Sequence, residues 1–282
     1  MKRMSSGAVE VGFGTFGTWA LVVLGAALGT LGCDEEKKNV EPPMRPAVTA
    51  SGTASATPPV VSAAAVPSAA PKAPAKPCTA DGVVVFDTGS GAPNKALEED
   101  TRKKLSKPSG DVTVADLKNV KSLNLAQAET NALDGCLMPL YGNLKDLFLG
   151  RGELYDLGPI SGLTELLSLR VAATRVTDLK PLARLGKLDR LDLAKTPVKN
   201  LEPLSGLTNL TELTLDETAI DDLTPLSSLV KLERLSLKNT TVKDLGPLKG
   251  MTKLRFLYLA GSAVGDISPI QPLVAKGLKI DK

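Results

Sequence analysis

Apolar residues recur along residues 144–275 with a fixed period of 22. In one unit they occupy seven positions: Leu210, Leu213, Leu215, Ile220, Leu223, Leu226 and Leu229. The same seven positions recur in five more units, which begin at Leu144, Leu166, Leu188, Leu232 and Leu254. A looser unit of 24 residues begins at Val120. A period of this length predicts that each unit is one coil and that the coils stack.

Each unit divides into a strand and a return. Leu213 and Leu215 are two residues apart, so they share one face of a strand, while Glu212 and Thr214 point the other way. Proline recurs in the return and favours a short helical turn over a strand: Pro159, Pro181, Pro203, Pro225, Pro247 and Pro269. A hydroxyl column between the halves is expected to satisfy backbone groups of the neighbouring coil: Thr174, Thr196, Thr218, Thr240 and Ser262.

The unit resembles a known bacterial repeat class. Residues 232–251 read Leu-x-x-Leu-x-Leu-x-x-Thr-x-Val-x-Asp-Leu-x-Pro-Leu-x-x-Met, which is similar to the 22-residue leucine-rich repeat of the internalins, although that pattern usually has Asn where Thr240 stands. The resemblance covers residues 120 to about 280. It implies an α/β leucine-rich repeat solenoid, with a parallel sheet on the concave face, 3₁₀ or α turns on the convex face and an N-terminal cap. For function it implies protein binding on the concave sheet.

The start of the chain predicts export. Lys2 and Arg3 precede the uncharged, largely apolar run 13–31, so residues 1–32 are interpreted as a signal peptide. Cys33 follows Thr-Leu-Gly, which resembles a bacterial lipoprotein box and makes Cys33 the expected lipid attachment site. An uncleaved signal anchor is the alternative, since a run of about 19 residues nearly spans a bilayer. Residues 33–77 are rich in Pro and Ala and predict a disordered tether.

Of the remaining two cysteines, Cys78 begins the predicted N-terminal cap, residues 78–119, and Cys136 lies beyond it. A bridge between Cys78 and Cys136 would join the cap to the irregular first repeat, and two unpaired thiols are the alternative. Within the cap, residues 83–86 predict a short strand and Asn94 can begin a helix that ends near Pro108. The repeats run over residues 120–275, and residues 276–282 are expected to form a C-terminal cap.

Few residues suggest catalysis. The chain has no histidine, which excludes Ser-His-Asp centres and His-bearing zinc sites. Gly12, Gly14 and Gly17 have the Gly-x-Gly-x-x-Gly spacing of a dinucleotide site, but no strand precedes them and no helix with an acidic residue follows, so no cofactor is expected. Residues 144–275 contain 17 Lys and Arg against 16 Asp and Glu, a balance that argues against nucleic acid. The run Phe86-Asp87-Thr88-Gly89-Ser90 matches the active-site loop of aspartic proteases. That chemistry needs a second carboxylate loop, which the sequence lacks, so a polar turn is the favoured interpretation.

Function is therefore assigned to the outward-pointing columns of the predicted sheet. The expected partner-binding residues are Phe148, Arg170, Arg190, Asp192, Glu212, Arg234, Phe256 and Tyr258. Neighbouring strands place Arg170 beside Asp192, and Glu212 between two arginines, so the charges could instead satisfy one another. Aromatic residues on exposed columns are typical of protein interfaces. The C-terminal cap could, however, cover Phe256 and Tyr258.

The sequence thus predicts a non-catalytic protein-binding domain on the bacterial cell envelope. A lipid at Cys33 would attach the chain to a membrane, and no cofactor, metal or nucleic acid is expected. One alternative is a self-associating, surface-structural lipoprotein. A second alternative, from a different class, is an aspartic-protease-like hydrolase that uses Asp87. The oligomeric state, the membrane leaflet and the partner stay open at this point.

Overall fold

The structure, a computed structural model, describes residues 77–90 and 92–282. Eight parallel strands form the main sheet, and a separate two-stranded hairpin lies before them. The hairpin consists of β1 (Thr79–Ala80) and β2 (Val83–Val84). The strands of the main sheet are β3 (Ser122–Leu125), β4 (Asp146–Leu149), β5 (Ser168–Arg170), β6 (Arg190–Asp192), β7 (Glu212–Thr214), β8 (Arg234–Ser236), β9 (Phe256–Tyr258) and β10 (Lys279–Asp281).

The strands of the main sheet follow one another in chain order. Each residue pairs with its equivalent one coil away, for example Leu191 with Leu213 and Leu213 with Leu235. The predicted leucine-rich repeat solenoid with a parallel sheet is therefore confirmed. One strand was not predicted from the sequence. It is β10, within residues 276–282, and it pairs in parallel with β9.

The return half of each repeat contains a 3₁₀ turn, and proline stands at one of its first two positions. These turns are Gly158–Ile160, Lys180–Arg184, Glu202–Leu204, Thr224–Ser228, Gly246–Gly250 and Ser268–Ile270. A side-chain oxygen two residues earlier accepts a hydrogen bond from the first N–H of each turn, at 2.7–2.9 Å; the acceptors are Asp156, Asp178, Asn200, Asp222, Asp244 and Asp266. This second polar column fixes where every turn begins.

The core is one continuous layer between the sheet and the turns. The seven apolar positions of the period are buried in every unit except at Ile267, which is partly buried, and those of the unit at Leu210 are at most 1% exposed. Each coil contributes only a thin slice of this layer. Its apolar side chains are therefore buried by contact with the neighbouring coils. Stability therefore depends on stacking rather than on any single repeat.

The hydroxyl column acts differently from the sequence prediction. Thr174, Thr196, Thr218 and Thr240 are buried, but each donates to a carbonyl three residues earlier in its own coil, at 2.6–2.9 Å. The expected bond to the neighbouring coil is instead made by the backbone, as where Lys195 N–H donates to Asp216 O at 2.8 Å. The prediction is wrong in its acceptor because the residue before each hydroxyl turns the chain, so the side chain points back into its own coil.

The helices of the N-terminal region lie beside the first repeat. They are α1 (Asn94–Leu105) and α2 (Val114–Leu117), so the helix predicted to begin at Asn94 is confirmed; a third helix, α3 (Gln271–Val274), lies near the C-terminus. Asp100 of α1 accepts the N–H of Asn124 at 2.8 Å, which satisfies a backbone donor on the outer edge of β3. Cys78 and Cys136 form a disulfide, with a Cα–Cα distance of 5.9 Å.

Several sequence predictions lie outside the described residues. They include the signal peptide over residues 1–32, the lipid attachment at Cys33 and nearly all of the tether over residues 33–77. Within the described residues, no helix is long and apolar enough to cross a membrane.

Candidate functional site

Two columns of outward side chains line the concave sheet, in the register that the 22-residue period predicts. The first runs through Ser122, Asp146, Ser168, Arg190, Glu212, Arg234 and Phe256; the second runs through Asn124, Phe148, Arg170, Asp192, Thr214, Ser236 and Tyr258. Strand β10 extends the columns by Lys279 and Asp281. All eight predicted partner-binding residues therefore lie on one continuous surface.

The charges on this surface form loose ion pairs. Arg170 Nε lies 3.3 Å from Asp192 Oδ2, and Arg234 Nη1 lies 3.6 Å from Glu212 Oε1. Arg190 lies opposite Glu212 in register, but its ion pair is with Asp189, at 3.5 Å. These side chains are largely open to solvent, so each pair contributes about 0–1 kcal/mol. A partner could replace these pairs at little cost.

Phe148, on the second of the eight strands, lies at one end of a shallow depression that spans β4 to β7. Its ring is half-buried, and the depression has a volume of about 280 Å³. The depression is lined by four charged side chains, those of Asp146, Arg170, Arg190 and Glu212. An apolar ring beside charges of both signs is a suitable place for a partner side chain to dock, since desolvating the ring favours binding and the charges set orientation.

Phe256 and Tyr258 lie between cations at the C-terminal end of the sheet. Arg234 and Lys279 stand 5.3 Å and 5.8 Å from the centre of the Phe256 ring, and Lys238 stands 4.8 Å from that of Tyr258. Both rings are half-buried. Strand β10 lies beside them in the sheet rather than over them, so the outer faces of the rings are not sealed from solvent.

Sequence reasoning did not include Lys238, Lys279 and Asp281 in the site. Lys238, in the repeat that begins at Leu232, lies 3.7 Å from Asp281 of β10, so this ion pair spans the last full repeat. The step from Phe256 to its partner Lys279 is 23 residues rather than 22. A search at a strict period of 22 therefore places the wrong residue beside Phe256, although the alternation in Leu278-Lys279-Ile280-Asp281 indicates a strand.

The Asp-Thr-Gly-Ser run takes part in a structural network. Thr88 donates a short hydrogen bond to Asp134 Oδ2, Asn94 Nδ2 donates to the same oxygen at 3.0 Å, and the N–H groups of Cys136 and Leu137 each donate to Oδ1 at 2.9 Å. Burial opposes the ionisation of Asp134, but these hydrogen bonds outweigh it and lower the pKa to about 2. A carboxyl held ionised in this way joins the Asp-Thr-Gly-Ser run and α1 to the first repeat.

The flank beyond the carboxyl ends of the strands carries a depression of about 1020 Å³. Its charges alternate along the coils and pair with one another. Arg175 lies 3.0 Å from Glu153, and Lys195 lies 3.4 Å from Glu217. Among residues 77–90 and 92–282, no group of three or more His, Cys, Asp or Glu is arranged to hold a metal ion.

Comparisons with known proteins agree with this fold. The family described as Leucine Rich repeats (2 copies) matches residues 230–272, whereas a search of curated proteins gives no match. An internalin (inlF) of Listeria monocytogenes is 29% identical, with a TM-score of 0.58, over 64% of this chain and 53% of that one. Internalin C2 of the same species is 27% identical, with a TM-score of 0.55, over 67% of this chain and 93% of that one.

A third structure, the functional domain of InlJ from Listeria monocytogenes, is 18% identical with a TM-score of 0.50 over 63% of this chain and 39% of that one, which bears on the fold alone. The chain spans about half the length of the inlF structure. The fold and its sheet surface define a leucine-rich repeat protein. Within that class the chain is similar to the internalin structures, and the comparisons indicate no catalytic family.

Proposed function

We propose that the chain is a non-catalytic protein-binding lipoprotein, displayed on the bacterial cell envelope, that holds its partner on the concave sheet. The observation that supports this most directly is the placement of three of the few aromatic residues, Phe148, Phe256 and Tyr258, on the two outward columns of one sheet. Their neighbours are weakly paired charges, which provide a polar rim around apolar anchors.

The size of the surface supports a protein partner. Eight strands about 4.8 Å apart extend over roughly 34 Å, which is long enough for a partner surface of roughly 800 Å². The depression at Phe148, about 280 Å³, is small and open at the sheet. It suits the side chain of a macromolecule better than a whole small ligand.

The proposal is tested by a pull-down from envelope extract. The chain is compared with a triple variant, Phe148→Ala, Arg170→Ala and Tyr258→Ala. The matched control removes exposed side chains outside the sheet, Tyr155→Ala and Arg184→Ala. Retention of a protein by the chain and the control, with loss in the triple variant, is the expected result. Equal retention by all three would contradict concave-face binding, and no retained protein would favour the self-associating alternative.

The envelope anchor is a separate part of the proposal. Lipidation of Cys33 would place the solenoid at the end of the Pro- and Ala-rich tether. We expect labelled fatty acid to be incorporated into the chain and not into Cys33→Ser, and the variant to leave the membrane fraction. Equal labelling of both proteins would contradict lipidation at Cys33, and a membrane-bound but unlabelled chain would favour the uncleaved signal anchor.

The N-terminal cap completes the proposal. Residues 78–119 place α1 against the outer edge of β3, where Asp100 accepts the N–H of Asn124. An uncovered edge strand exposes backbone donors and acceptors that pair with other chains. Covering it would keep the sheet free for its partner.

A further inference from the structure

Charge is divided unevenly along the solenoid. Residues 77–229 contain 17 Lys and Arg against 22 Asp and Glu, a net charge of −5. Residues 230–282, which we call the basic end, contain 10 Lys and Arg against 4 Asp and Glu, a net charge of +6. The nearly equal numbers of positive and negative side chains over residues 144–275 conceal this division. Opposite fields at the two ends of one surface orient a charged partner.

A groove at the basic end concentrates the positive charge beside an aromatic ring. It has a volume of about 710 Å³ and is lined by Phe256 and by four exposed cations, Lys253, Arg255, Lys276 and Lys279; Glu233 is its one acidic residue. None of the four cations forms an ion pair within the described part of the chain. Four like charges around one groove repel one another, and an anion would relieve that repulsion.

Among the described residues, no strand pairs with the outer edge of the sheet at this groove. Strand β10 is the last strand and pairs only with β9 among the described residues. The other side of its backbone can therefore take hydrogen bonds from an added peptide strand. An open strand edge favours a peptide over a lipid headgroup, because a headgroup has no backbone to pair with it.

We propose that the basic end binds an acidic, extended peptide segment of the protein partner. Carboxylates of the segment would pair with Lys253, Arg255 and Lys279, and an apolar side chain would pack on Phe256. This inference rests on the concave-face function and names the chemistry of the partner. The acidic part of the segment would lie at β9 and β10, which also fixes the direction in which the partner lies on the sheet.

The test uses the full chain carrying Cys33→Ser, which lacks the proposed lipidation site. The probe is a fluorescent peptide of alternating Glu and Val residues, and its counterpart of Gln and Val is the neutral reference. We expect the acidic peptide to bind about ten-fold more tightly than the neutral one at low salt, and the difference to shrink as salt screens the charges.

Variants locate the binding. Lys253→Gln, Arg255→Gln and Lys279→Gln together should weaken the acidic peptide about ten-fold. The matched control makes the same change in charge within residues 77–229, with Lys180→Gln, Arg184→Gln and Lys199→Gln, and should leave the affinity within about two-fold. All six side chains are exposed. Equal weakening by both triple variants would overturn the proposal, because it would indicate net charge alone.

Three other outcomes also overturn it. The first is equal affinity for the acidic and the neutral peptide. The second is binding to phosphatidylglycerol vesicles without binding to the peptide, which would assign the basic end to lipid. The third is a concentration-dependent dimer that the triple variant of the basic end abolishes. That result would mean that the basic end binds residues 77–229 of a second copy. The peptide titration measures the basic end and the pull-down measures the concave face, so either proposal can fail while the other stands.

Discussion

Residues 77–143 and the repeats of residues 144–275 are stabilised in different ways. In the repeats the core contacts recur one coil away, as the threonine hydrogen bonds of the inner coils and the buried leucines do. In the N-terminal region each contact occurs once. The disulfide joins Cys78 to Cys136, and the buried Tyr141 hydroxyl lies 2.7 Å from that of Thr101.

The difference follows from what each coil has beside it. An inner coil buries apolar side chains against two neighbours, so its stability is a sum of similar increments. The first coil, which begins at Val120, has a repeat on one side only. Residues 77–119 supply its other neighbour through covalent and polar links. Single substitutions should therefore cause larger losses, confined to that end, in residues 77–143 than polar substitutions do in the repeats.

The largest effect is expected from removing the disulfide. Cys78→Ala with Cys136→Ala opens a link between residues 58 apart, which costs about 4 kcal/mol in the chain-entropy model. Urea unfolding of the oxidised chain and the variant measures the loss. Hydrogen exchange should quicken over residues 77–143 and stay slow in β6 to β8. Uniform quickening along the solenoid would show that the two regions are not separate.

A close approach of backbones at Gly150 should give the next effect. A Cβ at Gly150 would lie 1.8 Å from Ala128 O and 2.7 Å from Leu125 O, so Gly150→Ala must displace the first coil. We expect a loss of about 3 kcal/mol in the free energy of unfolding. Gly206→Ala, in an inner repeat, is the matched control, because no atom lies within 4 Å of its added Cβ. Similar losses in the two variants would contradict the close approach.

A pH-dependent effect is expected at Asp134. Its folded pKa of about 2 lies below the ordinary value of 3.8, so its contribution is complete above the ordinary pKa and is lost as pH falls from about 4 to 2. The contribution is about 2 kcal/mol at neutral pH. Asp134→Asn should lower stability at pH 7 by about this amount and should flatten the decline below pH 4. An unchanged acid decline in the variant would show that other carboxyls cause it.

The comparison also explains what the sequence could predict. The strands, the 3₁₀ turns and the columns follow from a repeated pattern, because a residue such as Leu213 has the same surroundings in every coil. The Asp column at Asp222 and its equivalents was equally regular, but its role depends on a local hydrogen bond to the turn rather than on burial. Periodicity therefore showed its position and not its function.

The two ends could be predicted only in part. The number of cysteines indicated the link between Cys78 and Cys136, since assigning Cys33 to lipid attachment leaves a single pair. The Thr88–Asp134 hydrogen bond joins residues 46 apart that belong to no repeat, so no pattern relates them. At the other end the 23-residue step to Lys279 hid β10, and with it the cations beside Phe256.

The smallest effect compares two positions of the hydroxyl column. Thr218 donates to Leu215 O at 2.6 Å, so Thr218→Val removes a buried hydrogen bond and should cost about 1 kcal/mol. Ser262 occupies the equivalent position in the last full repeat, but its buried Oγ has no partner among the described residues. Ser262→Ala should therefore leave the free energy of unfolding unchanged or raise it by up to about 1 kcal/mol. Equal losses in urea unfolding would mean that Ser262 makes the same bond as the threonines, and the last repeat would then be as regular as the inner ones.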